Sequence, residues 1–222
     1  MARTAAPPDI DPARLRAGAE QLGLALTDAQ ILALLDFAAL LLRWNRVHNL
    51  TAIRDPGELL THHLLDALSL VRPLRDQLGD AADGPVEVLD VGAGGGLPGI
   101  PLAIVCPGWR ITLVDAVQKK AAFMTQAALE LKLANVSVRH ARVEQLQGSW
   151  PVITSRAFAA LADFVGWTRH LLAPGGFWLA MKARLDPAEL AALPPDLICR
   201  AVLPVEVPGL GEQRHLIRIE PR

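Results

Sequence analysis

Apolar residues along this chain follow two rhythms, and the change between them falls near residue 85. Before it the spacing is helical. Residues 12–24 suit a short helix after a loose tail, residues 1–11. The stretch "TDAQ", Thr27 to Gln30, has the form of a capping box: a hydroxyl, then an amide three residues on, which together close free N–H groups at a helix start. Behind it Ile31, Leu34, Leu35, Ala38, Leu41 and Leu42 recur every three or four residues. That is one face of a helix expected to run to about Trp44. A polar connection, Asn45 to Arg54, interrupts the pattern. Asp55, Pro56 and Glu58 then read as cap, first and third residues of a further helix. Its stripe is Leu59, Leu60, His63, Leu64, Ala67, Leu68 and Val71. "LGDAADGP" is a turn-rich boundary.

From Val86 short apolar runs alternate with helical segments. "VEVLDV", "RITLVDA", "VSVRH", "PVITSRA" and "GGFWLAMK" read as strands. "GIPLAIVC", "KKAAFMTQAALELKL", Ala160 to Leu172 and "PAELAAL" read as helices between and after them. The end, from Ile198, reads as two strands around a Pro/Gly turn. Alternating β and α with short connections predicts a Rossmann-like α/β domain: a mostly parallel sheet covered on both faces, with an antiparallel hairpin at one edge. The expected division is a helical extension packed on the core, residues 1–84, and an α/β domain, residues 85–222.

Composition narrows the classes. The chain has 222 residues, 51% of them hydrophobic, enough to bury a full core without staples. Cys106 and Cys199 lie far apart with no Cys/His cluster near either, so both are expected as small buried hydrophobes and no metal site is expected. The N-terminus lacks the pattern of a signal peptide, and no apolar run reaches the roughly 20 residues of a membrane span. A cytoplasmic protein with no membrane partner is the expectation. The net charge is −1, yet it is unevenly spread. Between Arg110 and Arg184 ten Lys/Arg face four Asp/Glu, while residues 1–100 carry a net −5. A basic half suits either an RNA-facing surface or ordinary solvated helix faces.

The densest chemistry lies at "LDVGAGGGLPGIPLAI", where five glycines fall within eight residues behind a strand. Glycine is needed where φ is positive or where something lies against the backbone, and ligands of such sheets sit beyond the carboxyl ends of the strands. Gly94, Gly96 and Gly99 spell GxGxxG, a dinucleotide pattern. Asp90, Gly92, Gly94 and Gly96 spell DxGxGxG, the usual first motif of methyltransferases that use S-adenosylmethionine. Asp90 favours the second reading, because a carboxylate at the strand end repels a pyrophosphate and suits a ligand carrying an ammonium and a sulfonium. Asp115 ends the next strand, where a carboxylate can accept from ribose hydroxyls. No cysteine nucleophile and no (N/D)PP(Y/F) loop follows the fourth strand, which instead holds "TSRAF". That is permissive for an acceptor already nucleophilic, such as guanine N7, whose free lone pair carries no proton.

The stretches "WNRVHNLTAIRDPGELLTHHLLDAL", "LDVGAGGGLPGIPLAIVCP", "TLVDAVQKKAAFMTQAALELKLANV", "RVEQL" and "SRAFAAL" cover most of residues 44–163 in order. In them the chain resembles the bacterial 16S ribosomal RNA guanine-N(7) methyltransferase family, also called glucose-inhibited division protein B. The resemblance implies a class I methyltransferase fold, S-adenosyl-L-methionine as donor, and one guanine of the small-subunit decoding region as target. The partner is then 16S rRNA or the small ribosomal subunit, and the protein is expected to be a monomer. By match, Gly92, Leu97, Val143, Glu144 and Arg156 would contact the cofactor. Asp90, Gly94, Gly96, Asp115 and Ala116 join them on the reading of the strand ends. His62 departs from the family, which implies Arg there.

Arg156, the one catalytic candidate, has three possible roles: lining the cofactor pocket, gripping an RNA phosphate as a bidentate donor, or pairing with Glu144 or Asp90. Arg46, His48, Asn49, Arg54 and Lys182 are RNA-binding candidates, with a turn the commoner fate of Asn49. His63 and Asp66 stand three apart on one helix and can bond each other, although a satisfied buried histidine is the commoner case. An NAD-linked oxidoreductase is the enzymatic rival, but the chain has no tyrosine and no evident catalytic set beside a nicotinamide. A methyltransferase of another RNA and a non-enzymatic RNA-binding module complete the alternatives.

Overall fold

The computed structural model describes residues 10–222, so most of the expected tail lies outside the described residues. Helix α1 (Pro12–Gln21) is capped by the Asp11 side chain. Helix α2 (Asp28–His48) starts with the expected capping box, Thr27 with Gln30 in both directions. It passes Trp44 by four residues. The reason is Asn45, which is buried on the helix and bonds outward to the next loop: its amide donates to the Ile53 carbonyl at 3.0 Å and its Oδ1 accepts from the Thr51 N–H at 2.9 Å. A polar residue that breaks the apolar stripe here anchors a loop. The helix stops at Asn49, whose left-handed backbone (φ 48°) is a conformation asparagine tolerates.

Asp55 caps the next segment as expected, but that segment is not one α-helix. A short turn, α3 (Pro56–Leu59), passes into a π-helical turn at Leu60–Leu65 and back to α geometry in α4 (Asp66–Leu68). Helix α5 (Val71–Leu78) follows, then a 3-10 turn at Gly79–Asp83.

Strands and helices then alternate: β1 (Glu87–Val91), α6 (Gly99–Val105), β2 (Arg110–Asp115), α7 (Gln118–Glu130), β3 (Val136–His140) and β4 (Trp150–Arg156). After β4 come α8 (Leu161–Thr168), β5 (Leu172–Lys182), α9 (Pro187–Ala191), β6 (Leu197–Glu206) and β7 (Gln213–Pro221). Helix α8 is shorter than expected, tightening into a 3-10 turn at Arg169–Leu171 before β5. The sheet order is β3-β2-β1-β4-β5-β7-β6. Strands β1 to β5 are parallel, and the terminal hairpin forms one edge. Within it β7 runs against β5 and lies one place in from the edge, between β5 and β6.

Both faces are covered. On one, Ile100, Phe123, Leu113, Leu179 and Leu216 share a single apolar cluster with Leu15, Leu34, Leu41 and Leu64 of the N-terminal helices. On the other, Leu161, Phe164 and Val165 of α8 pack on Leu89, Ile153, Trp178 and Ile219. Cys106 is buried and Cys199 half-buried; burial pushes the Cys106 thiol up to about 11.

Candidate active site

Five parallel strands end on one side of the sheet, and the candidate residues gather along that crest. Behind β1 the glycine loop turns back under the end of β2: the Gly92 and Ala93 N–H groups donate to the Val114 carbonyl at 2.9 and 3.2 Å. Gly92, Gly94 and Gly96 all have positive φ, 66°, 57° and 75°. The reasons for bare backbone differ along the loop. A Cβ on Gly92 would lie 2.2 Å from the Phe158 ring, one on Gly96 2.4 Å from Ile100, and one on Gly99 2.1 Å from Leu113. At these positions the chain's own side chains occupy the space. Gly94 alone of the four is open, with nothing nearer its missing Cβ than a backbone oxygen at 3.7 Å.

The two strand-end acids both hold this loop. Asp90 is fully buried, and its Oδ2 accepts from the Gly99 N–H at 2.8 Å while Oδ1 has no partner. Burial raises its pKa to about 7, against the pull of the Gly99 N–H and of Arg156. Asp90 therefore sits beneath the loop, with no surface of its own on the crest. Asp115 accepts from the Gly94 N–H at 3.0 Å and from the Val117 N–H at 2.8 Å, with the Lys120 ammonium 3.7 Å away. Each carboxylate oxygen keeps a lone pair beyond its backbone donor.

A cavity of about 400 Å³ opens beside the loop. Gly92 to Gly95 and Leu97 form one wall, Thr51, Ile53 and the π turn another, and Arg156, Lys182 and Arg214 a third. Asp115, Ala116, Val143 and Glu144 lie outside it, on the part of the crest formed by β2 and β3. There Ala116 and Glu144 are exposed and Val143 is buried, and His140 at the end of β3 donates from Nε2 to the Ala116 carbonyl at 3.2 Å.

At the heart of the third wall is an ion cluster. Arg156, at the end of β4, donates from Nη1 to Asp66 Oδ2 and to the His62 carbonyl, both at 2.9 Å. Asp66 Oδ1 accepts from Arg214 Nε, also at 2.9 Å. So Arg156 pairs with Asp66, and with neither Glu144 nor Asp90 as its ion-pair role would have required. Asp66 is 3% exposed, and burying a carboxylate is costly unless it is paired and hydrogen-bonded as here.

The His63 ring does not bond the Asp66 carboxylate, contrary to the expectation for residues three apart; only the Asp66 N–H reaches the His63 carbonyl. Both ring nitrogens are taken elsewhere: Nδ1 faces the His62 carbonyl at 2.9 Å and Nε2 the Thr51 hydroxyl at 2.7 Å. Burial, with the Arg156 charge behind it, lowers its pKa to about 4, so it stays neutral. Donation from Nδ1 to the carbonyl leaves Nε2 to accept from Thr51. His62 lines the cavity, its Nδ1 within 2.9 Å of the Thr61 hydroxyl.

Lys182 closes the cavity from β5, but its ammonium donates to the Ala159 carbonyl at 2.7 Å and pairs with Glu189 at 2.8 Å. The loop after α2 contributes its apolar residues to the cavity wall. Arg46, Asn49 and Arg54 are exposed, Arg54 donating to Asn49 Oδ1 at 3.2 Å, and the half-buried His48 ring stacks 5.0 Å from Trp44. The structure thus brings Gly92, Gly94, Leu97, Arg156 and Lys182 to one cavity and keeps the basic residues of the α2 end apart from it. Arg214 and the anchoring Asn45 were not among the residues singled out from the sequence, and Asp66 was singled out only as a partner for His63.

Known proteins resemble this chain to different depths. A family model described as rRNA small subunit methyltransferase G matches residues 30–217. The ribosomal RNA small subunit methyltransferase G of Acidovorax sp. strain JS42 is 53% identical over 212 residues, covering 93% of this chain and 94% of its own. That of Burkholderia thailandensis is 53% identical over 214 residues, covering 94% and 90%. Among solved structures, magnesium protoporphyrin IX methyltransferase from Synechocystis PCC 6803 with bound S-adenosylmethionine superposes with a TM-score of 0.60 at 16% identity, over 89% of this chain and 99% of that one. TrmN from Thermus thermophilus gives 0.54 at 22%, over 73% and 53%. At these identities the two structures speak for the fold, which is that of class I methyltransferases.

Proposed function

The chain belongs to the rRNA small subunit methyltransferase G family, and from that membership we propose that it methylates N7 of a single guanine in the 16S RNA of the small ribosomal subunit. It is an enzyme, a methyltransferase with S-adenosylmethionine as donor; the oxidoreductase reading falls with the family match. The observation that carries the proposal is the cavity at the strand ends, which has open glycine backbone on one wall and guanidinium groups on another. A nucleoside-bearing donor and a polyanionic acceptor need those two surfaces side by side.

The residues present fit the donor. Gly94 leaves its face free, Asp115 has lone pairs to spare for ribose hydroxyls, and Leu97 and Val143 are apolar. Gly92, Gly96, Ala116, Glu144 and Arg156 complete the proposed cofactor set, with Asp90 supporting the loop from below through Gly99. When bound, S-adenosylmethionine supplies a methyl group made electrophilic by its sulfonium. An acceptor such as guanine N7 would take the methyl with its own lone pair as the sulfur leaves as a thioether, so the protein would have no proton to remove. Two buried ionisable groups of the cavity are already engaged. His63 is neutral with both nitrogens engaged, and Asp66 is held by two guanidinia. What the chain contributes is alignment and charge. Arg46, His48, Asn49, Arg54 and Lys182 are the proposed contacts to RNA, Lys182 only on exchange from Glu189.

We take residues 1–84 as a helical extension and 85–222 as the methyltransferase domain; one apolar cluster holds residues of both. No helix among the described residues is long and apolar enough to cross a membrane. A cytoplasmic monomer that meets small-subunit RNA is the corresponding proposal.

Unmethylated small subunits and protein-free 16S RNA, each incubated with donor labelled on the methyl, test the reading. Borohydride and aniline cleave at 7-methylguanosine, so cleavage at one guanine is expected. Label without cleavage would remove the N7 assignment, and label only on other RNAs would replace the substrate.

A further inference from the structure

Arg214 lies on β7, in the part of the chain where the resemblance is least distinctive, yet it lines the same cavity as Gly92 to Gly95. Its side chain is 13% exposed and is oriented from within. Asp66, at 5%, accepts from Nε at 2.9 Å, which fixes the plane of the guanidinium. The other end is held differently. Nη1 donates to Glu212 at 3.3 Å, and the Glu212 side chain is 69% exposed on the turn before β7. One partner is buried and well placed, the other long and solvated. A long contact to a solvated carboxylate contributes little, so the outer carboxylate is readily exchanged.

Charge around the cavity favours an anion at that point. Lys182 is matched by Glu189 and Lys120 by Asp115. Asp66 alone faces two guanidinia, Arg156 and Arg214. Asp90 acts on Arg156 from beneath the loop, and Arg214 is offset further by Glu212, from solvent. A guanidinium fork aimed by a buried carboxylate is the geometry that takes a phosphate by two N–H groups.

We infer that Arg214, aimed by Asp66, binds a backbone phosphate of the RNA beside the acceptor guanosine, and that this phosphate displaces the Glu212 carboxylate. The inference rests on the RNA reading above. Asp66 is here a positioning residue, and Glu212 holds the place of the phosphate until RNA arrives.

The test compares wild type, Arg214→Gln, Arg214→Lys and Glu212→Gln on unmethylated small subunits over a range of KCl concentrations, with S-adenosylhomocysteine affinity measured alongside. Arg214→Gln is expected to raise KM for the subunits about tenfold and to lower the slope of log KM against log salt by about one, the loss of one phosphate contact. Its affinity for S-adenosylhomocysteine stays at the wild-type value. Arg214→Lys recovers part of the affinity as a point charge. Glu212→Gln moves the other way, lowering KM about threefold, an effect that a purely structural pair would not give. An unchanged KM in both Arg214→Gln and Glu212→Gln, or a loss of S-adenosylhomocysteine binding in step with KM, overturns the inference. Should Arg214→Gln fail to fold, Glu212→Gln and Arg214→Lys decide alone. A wild type that methylates no small-subunit RNA sinks the RNA reading itself, before any variant is compared.

Discussion

Gly92 shows how much a single missing Cβ does here. Its φ of 66° is one that alanine resists, and the Phe158 ring fills the space beside it. Gly92→Ala is expected to cost about 2–4 kcal/mol, from left-handed strain plus displacement of a packed ring. Gly108, with open space around it and no positive φ, takes alanine at no cost beyond about 0.5 kcal/mol. Urea denaturation of the two variants checks the contrast. Asp90 makes a prediction in pH. Its folded pKa is raised to about 7 from an ordinary 3.8, so the folded state disfavours its charge. The contribution is fully favourable below about pH 4 and is lost as pH rises to about 7. Asp90→Asn keeps an acceptor for the Gly99 N–H and has no charge to bury. Stability of the variant relative to wild type should climb from pH 4 to 7, by at most about 1.4 kcal/mol per pH unit, and then level off. A flat difference across that range would mean that Asp90 titrates normally.

Among the elements, those with strictly local causes were legible in advance. The capping box at Thr27, the Asp55 cap and the strand–helix alternation after Val86 all depend on neighbours a few residues apart. The π turn was not, because apolar residues at three- and four-residue intervals suit it as well as an α-helix. Asn45 was also hidden, since a polar residue ending an apolar stripe reads as the end of a helix. The glycine motif was legible as a motif, and positive φ at Gly92, Gly94 and Gly96 is one of the two reasons it suggests; what it did not show is that Gly92, Gly96 and Gly99 make room for Phe158, Ile100 and Leu113. Asn45 sets the shape of the loop that supplies Thr51 to His63 and Ile53 to the cavity. Asn45→Ala leaves the Thr51 N–H and the Ile53 carbonyl without their partner, at a cost of about 1–3 kcal/mol. The expected readout is faster hydrogen exchange confined to residues 49–54, together with a raised KM for ribosomal subunits. Uniform exchange across the molecule would instead mark Asn45 as a global stabiliser.

At the scale of the whole molecule, one apolar cluster passes from the N-terminal helices into the sheet, so extension and domain should unfold together. Far-UV ellipticity draws on the N-terminal helices, whereas four of the five tryptophans follow residue 85. The two signals should trace one coincident transition. S-adenosylhomocysteine at 100 times its Kd should shift that transition by about 2.7 kcal/mol, and Asp115→Ala should abolish the shift. Two separated transitions would show that the cluster does not couple the parts.

The ion cluster joins residues that are far apart in the order of synthesis. Asp66 is made 90 residues before Arg156 and 148 before Arg214. At translation speeds of about 5–20 residues per second, the second interval lasts roughly 7–30 s. Through that time the nascent chain carries an acid with one partner or none. A chain stopped after β6 still has its glycine loop and both strand-end acids, but not the guanidinium that completes the cluster. The wall of the cavity that faces away from the glycines is therefore the last to exist, and a prematurely terminated copy would emerge with its binding cleft unfinished.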